Sequence, residues 1–443
     1  MDLLKTDITK LYRGYLVPSL SAAIVTSVYS FVDMIAIGRG VGPDGAAALS
    51  IATPIFGVVS FFGLLCGVGS SIYLGKARGE GRIEKSNAYF STSLLLTILF
   101  TVLVWAGFNL FSTQIYILFG AKETLMPFIK SYTDLIVWTM PLFILSSYLS
   151  CVVRSDGAPN KVMAAVIIGG IFNIFGDWFF VFPMDWGMFG AALATVLRTV
   201  MQFVILCSHF FSKSCCLKLV KPFRPSRAIH NVLLAGFSAG VIDIAFIVLT
   251  VILNKQILRY GGEAALAVFG VVITCSSMFQ HLFSGVGQAI QPIVSMNFGA
   301  GQFDRIRKID KLSAITALLM GVAFSLIGLL FPTQITAFFL DATPKILEIA
   351  PGIIRVYFLS YLPMGINIQA TYYLQAVMRT TASNTLALLR GLLFSGTLVY
   401  LLPLRWGADG IWWAMAITEF AVVIFSIFCL RAVDRSQMAE GRI

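Results

Sequence analysis

Residues 161–199 form an apolar stretch that carries an amide and a carboxylate, Asn173-Ile174-Phe175-Gly176-Asp177. At i and i+4 these two side chains share one face of a helix. A second acid, Asp33, sits in the apolar run Phe31-Val32-Asp33-Met34-Ile35-Ala36-Ile37-Gly38-Arg39. A carboxylate at the centre of a bilayer helix costs roughly 2.5–3.5 kcal/mol, so these groups should face protein or a water-filled cavity rather than lipid. Two carboxylates in one partly dry site repel each other, and capture of a proton or a Na⁺ ion relieves that repulsion. The chemistry on offer is therefore reversible cation capture at Asp33, Asn173 and Asp177. The bland alternative is that neighbouring hydroxyls satisfy the acids, which then only pin helices together.

A second set lies further along. Asp243, in Gly240-Val241-Ile242-Asp243-Ile244, falls at mid-membrane depth, roughly 18 Å from the inner side at 1.5 Å per residue. Gln280, His281, Gln288 and Gln291 could line the same cavity as a substrate cleft. His281 reads first as a satisfied interior histidine and second as a proton relay. Arg198 and Glu419 are further charges in apolar runs and read as structural, Arg198 neutralising an acid or snorkelling inward. Seven cysteines and three histidines show no C-x-x-C or H-E-x-x-H spacing. No metal is expected beyond Na⁺ at Asp33, Asn173 and Asp177, and no cofactor. The pairs Gly67-x-Gly69 and Gly285-x-Gly287 lack a dinucleotide fingerprint and suit close helix packing. There is no Walker A sequence and no nucleophile–base constellation, which argues against an ATPase or an intramembrane enzyme.

The elements that must position these groups are membrane helices. Of 443 residues, 58% are hydrophobic and only 12% charged. Apolar runs of helix-spanning length recur from end to end without strand-like alternation, so the expected fold is an all-α integral membrane protein. Twelve helices are expected, over 12–38, 46–75, 88–119, 127–153, 160–183, 188–211, 231–258, 264–297, 312–339, 348–377, 383–404 and 408–430. Pro54, Pro141, Pro292 and Pro363 fall inside the second, fourth, eighth and tenth, where each permits a kink. The N-terminus, the loops after the even helices and the C-terminus hold 23 of the 32 Lys and Arg, against 8 on the other side. Both termini are thereby assigned to the cytoplasm of a multi-pass inner (plasma) membrane protein. The formal charge of +11 is explained by this asymmetry and calls for no nucleic-acid partner.

The halves repeat. Ala47-Ala48-Leu49 recurs as Ala264-Ala265-Leu266, Gly67-Val68-Gly69 as Gly285-Val286-Gly287, and Gly79 with Gly81 as Gly299 with Gly301. Pro141 answers Pro363, and Trp186-Gly187 with Gly190 answers Trp406-Gly407 with Gly410, all at offsets of 217 to 222. Six spans per half give the halves one orientation, as two pseudo-symmetric six-helix lobes (1–211 and 231–443) around a central cleft. Residues 212–230, with Lys213, Lys218, Lys221, Arg224, Arg227, Pro222 and Pro225, read as a basic cytoplasmic linker. Asp33 then lies roughly 7–8 Å, and Asp177 roughly 9 Å, below the outer boundary. If the first and fifth helices are neighbours, the two acids and Asn173 form one cluster.

These segments resemble the multidrug and toxic compound extrusion (MATE) transporters. Residues 31–39 look like that family's first-helix motif. Gln288-Ala289-Ile290-Gln291-Pro292-Ile293-Val294-Ser295-Met296-Asn297-Phe298-Gly299-Ala300-Gly301 looks like its eighth-helix signature. Asn173-x-x-x-Asp177, followed by Gly190-Ala191-Ala192-Leu193-Ala194-Thr195, is similar to its fifth and sixth helices. The resemblance implies a V-shaped antiporter, nearest the prokaryotic DNA-damage-inducible branch, that exports organic, often cationic or amphipathic, compounds in exchange for H⁺ or Na⁺. It implies coupling at Asp33, Asn173 and Asp177, with alternating access across the membrane. The seventh-helix acid of another branch matches Asp243 only loosely, and no Asp or Glu stands between Pro363 and Arg379 for its tenth-helix acid. A lipid-precursor flippase of the same superfamily is the alternative. It calls for an arginine-lined cleft, whereas only Arg198 is plainly inside a span by this reading. The partners expected are small organic substrates and the bilayer, for a chain acting as a monomer.

Overall fold

The computed structural model describes residues 2–119, 121, 123–221, 225–340 and 343–440. Pro222 and Arg224 of the expected linker lie outside the described residues. Among the described residues, twelve helices are long and apolar enough to cross a membrane. In chain order they are α1 Ile8–Gly40, α2 Pro43–Gly79, α3 Ile83–Leu118, α4 Glu123–Ser155, α5 Pro159–Val181 and α6 Gly187–Phe211. The second half repeats the count with α7 Ala228–Tyr260, α8 Gly262–Gly299, α9 Phe303–Leu330, α10 Pro344–Ala376, α11 Thr380–Trp406 and α12 Ala408–Arg435. Large apolar side chains such as Leu99, Leu103, Leu110, Ile424 and Phe428 are exposed along these helices. Water would penalise such surfaces, whereas lipid does not.

The ninth helix departs most from expectation. It runs Phe303–Leu330 rather than 312–339, and Pro332–Phe339 forms a separate short helix. Pro332 supplies no amide donor to a continuing helix but suits the first turn of a new one. Prolines 54, 141 and 292 are carried inside continuous helices. The helix carrying the fourth of these prolines, α10, is interrupted between Phe358 and Tyr361, just ahead of Pro363.

Contacts divide the chain into two compact units, Met1–Lys5 with Val17–Gly240 and Thr6–Leu16 with Val241–Ile443. Two helices change unit along their length, α1 after Leu16 and α7 after Gly240. In the second unit, Arg305 donates to the carbonyl of Thr6 at 2.7 Å. In the first unit, the glycine pairs do the packing expected of them. A Cβ on Gly67 would stand 3.1 Å from Tyr148 and Cys151 of α4, and one on Gly69 would run into the Val232 carbonyl of α7. In the second, a Cβ on Gly287 would collide with the Tyr372 ring of α10. Small residues let these backbones approach, so van der Waals contact replaces the hydrophobic drive that lipid cannot supply.

Candidate functional site

Three glycines of α5 set the positions of its neighbours. A Cβ on Gly170 would lie 2.6 Å from Val25 and 3.3 Å from Tyr29 of α1. One on Gly169 would lie 3.2 Å from Cγ of Arg198 on α6, and one on Gly176 would lie 2.8 Å from Ala194. Helices α1 and α6 can therefore pack directly against the α5 backbone. One turn beyond Gly170 along that groove, Asn173 is buried, and Asp177 is fully buried one turn further.

Asp33 of α1 is half-buried and faces Asp177, with Tyr132 of α4 and Arg198 within interaction range. The structure thus brings Asp33, Asn173 and Asp177 into one region of the first unit. Tyr132 and Arg198 complete it, and Thr195 faces the Tyr132 phenol. Neither carboxylate oxygen of Asp177, nor Nδ2 of Asn173, nor Oδ1 of Asp33 has a hydrogen-bond partner among the described residues. Hydroxyl pinning does not account for Asp177. Arg198 donates to the Tyr29 hydroxyl at 3.0 Å, and its guanidinium carbon stands 4.5 Å over that ring. It is thus tied to α1 rather than snorkelling inward. Buried oxygens without donors are costly, and a captured proton or a small hard cation would satisfy them.

The MatE family profile matches residues 18–179 and, a second time, residues 239–400. This chain belongs to the MatE family. Its two matched segments follow one another at an offset of 221, in step with the internal repeat. Among relatives of this MatE chain, "Multidrug export protein MepA" of Staphylococcus saprophyticus is 25% identical, covering 99% of this chain and 98% of that protein. "Probable multidrug resistance protein YoeA" of Bacillus subtilis is 27% identical over 79% of this chain and 77% of its own. A solved outward-facing multidrug resistance MATE family transporter of the MOP superfamily has a TM-score of 0.91 at 20% identity, covering 99% of this chain and 98% of that one. A MOP superfamily transporter from Pyrococcus furiosus gives a TM-score of 0.89 at 20% identity, covering 98% of each chain. At that identity the likeness shows the fold, an all-helical architecture.

The second-half candidates of this MatE chain differ in their surroundings. Asp243 is half-buried with no hydrogen bond among the described residues. His281 is exposed and Gln288 half-buried. Gln291 is buried and donates to Gln375 of α10 at 3.2 Å, so it serves the α8–α10 contact. Gln280 lines a cavity of about 40 Å³ in the second unit, together with Arg390 and Glu419. Arg198 is not the sole arginine deep within a span: Arg390 lies inside α11, buried, with its Nε donating to Glu419 Oε1 at 2.6 Å. Glu419 is held a second time by Asn367, whose Nδ2 stands 2.7 Å from Oε2. Arg198 belongs to the first unit and Arg390 to the second.

A further cluster lies where the ends of α2, α4 and α6 meet. Asp156, after α4, accepts from Arg78 at the end of α2, from the backbone amide of Cys216 at 3.0 Å, and meets His209 Nε2 at 2.7 Å. Ligand atoms of Asp156, His209 and Cys215 lie within 4.8 Å of one another, a set whose types and spacing could hold a metal ion. The guanidinium of Arg78 on the same carboxylate already supplies the positive charge there. No motif spacing announces this junction, because its members are far apart in sequence.

Proposed function

We propose that this chain is a secondary antiporter that exports organic, cationic or amphipathic compounds in exchange for H⁺ or Na⁺. It belongs to the branch of the family related to the DNA-damage-inducible proteins. The carrying observation is the set of buried, donorless oxygens on Asp177 beside Asp33 and Asn173. Capture of one cation relieves the repulsion between the two acids and satisfies those oxygens. Asp33 is on α1 and Asp177 on α5, so that event changes the energy of the α1–α5 contact. A ligand shifts a conformational equilibrium only through its differential affinity for the two states. The coupling cation and the exported compound both bias one alternating-access equilibrium, and this links them. Transport requires no cofactor. The chain works as a monomer in the inner membrane, with both termini in the cytoplasm. Names of the relatives support multidrug export as the substrate class.

The test is gradient-driven efflux in proteoliposomes, with pH and Na⁺ gradients imposed separately. Asp33→Asn and Asp177→Asn should each abolish efflux while the protein stays folded in detergent. Unchanged transport in both variants would remove the assignment.

A further inference from the structure

The second unit contains a charge pair that the coupling reaction does not use. Arg390 and Glu419 are 9% and 1% exposed, and they form one wall of the 40 Å³ cavity named above. The remaining lining is soft and apolar, including Phe246, Met364 and Met415, with Gln280 and the Tyr357 ring as polar neighbours. Glu419 is fixed firmly. Asn367 bonds both its Oε2 and its backbone carbonyl, at 2.7 and 2.9 Å, and Ser426 holds Asn367 Oδ1 at 2.9 Å.

Arg390 is held loosely by comparison. Only its Nε bonds Glu419, so the two-point fork that makes arginine–carboxylate pairs strong is not formed. Its backbone lies in a π-helical turn, Leu389–Leu393, inside α11. Such turns are uncommon in α-helices and cluster at functional positions, because the extra residue can be absorbed or released by a local shift.

We infer that Glu419 and this cavity form a binding site for the planar cationic head of an organic compound, with Arg390 acting as a tethered stand-in that the ligand displaces. The carboxylate and Asn367 supply the fixed acceptor, and Phe246, Met364 and Met415 supply the adaptable apolar wall. The cavity has room for only about one or two waters while the guanidinium fills its polar end. The ligand's cation takes the place of the guanidinium on Glu419, so the carboxylate keeps a counter-charge throughout the exchange. The inference rests on the organic-cation export proposed above, but it is tested without any gradient.

Equilibrium binding of hexylguanidinium is measured on the purified full chain in detergent, for wild type, Arg390→Ala and the double variant Arg390→Ala with Glu419→Gln. Removing the stand-in should tighten binding by about tenfold or more over wild type. The double variant should lose saturable binding. Hexanol, uncharged and of similar length, should not compete. Equal affinity in all three proteins, or full competition by hexanol, would overturn the site. If Arg390→Ala does not fold, Arg390→Lys replaces it, since an ammonium on a shorter planar-free head competes less well, and tightening over wild type is again required. The coupling assignment is read from gradient-driven efflux and this site from binding without a gradient, so the failure of one and the failure of the other are read separately.

Discussion

The buried carboxylate of Asp156 takes Arg78, His209 and the Cys216 amide at once, joining the end of α2, the start of the α4–α5 turn and the segment after α6. Burial pushes its pKa up, but the His209 contact and the Arg78 guanidinium outweigh that and hold it below the usual carboxylate value. The sign follows from linkage. A carboxyl whose folded pKa is depressed stabilises the fold above its unfolded value, near 3.9, and loses that contribution as pH falls toward the folded pKa. The thermal unfolding midpoint in detergent should therefore fall as pH drops below about 4. Asp156→Ala should cost about 3–5 kcal/mol at neutral pH, because Arg78 is left buried without its partner. The same variant should show a weaker loss of stability with acid than wild type; an unchanged midpoint and acid profile would show that the junction carries no stability. This residue was invisible in the sequence, where it appears as an ordinary loop acid. Asp33 and Asp177 were legible because lipid makes an acid in an apolar run conspicuous. Tyr132, which joins them in space, was not, since a tyrosine in a membrane helix draws no attention until its neighbours are known.

Glycines set the spacing at the scale of the helix. Gly170 lets α1 lie on α5 with Val25 and Tyr29 against its bare backbone, and Asp33 follows two turns above Val25 on the same helix. Gly170→Val should force the two helices apart and cost about 1–3 kcal/mol by overpacking. Because the added volume separates Asp33 from Asp177, coupled efflux should fall by more than the loss of folded protein explains. Efflux per folded molecule equal to wild type would show that the α1–α5 distance does not set coupling. Helix number and position were legible from apolar runs, since the bilayer dictates their length. The ninth helix was misplaced by the same rule: the apolar run continues through Pro332, and only the missing amide of that proline ends the helix there. Arg390 falls inside the expected eleventh helix but was not recognised as a buried charge, because nothing local says that Glu419, on the next helix, receives it.

For the whole molecule, the repeat bears on orientation. If all twelve helices span, six in each half return the chain to the side from which it started, and the segment after α6 is expected on the side of the termini. Counting Arg390 as a charge within the membrane leaves the Lys and Arg excess on that expected side intact. Residues Thr6–Leu16, with the start of α1, belong to the second unit and the rest of α1, with Asp33, to the first. Cys216 tests the orientation that this scheme requires. It is exposed, and only its backbone amide is engaged by Asp156. In a variant keeping Cys216 as its single cysteine, a membrane-impermeant maleimide should label inside-out vesicles and leave intact cells unlabelled. Labelling of intact cells would reverse the topology, and with it the direction in which Asp33 and Asp177 must meet the driving cation.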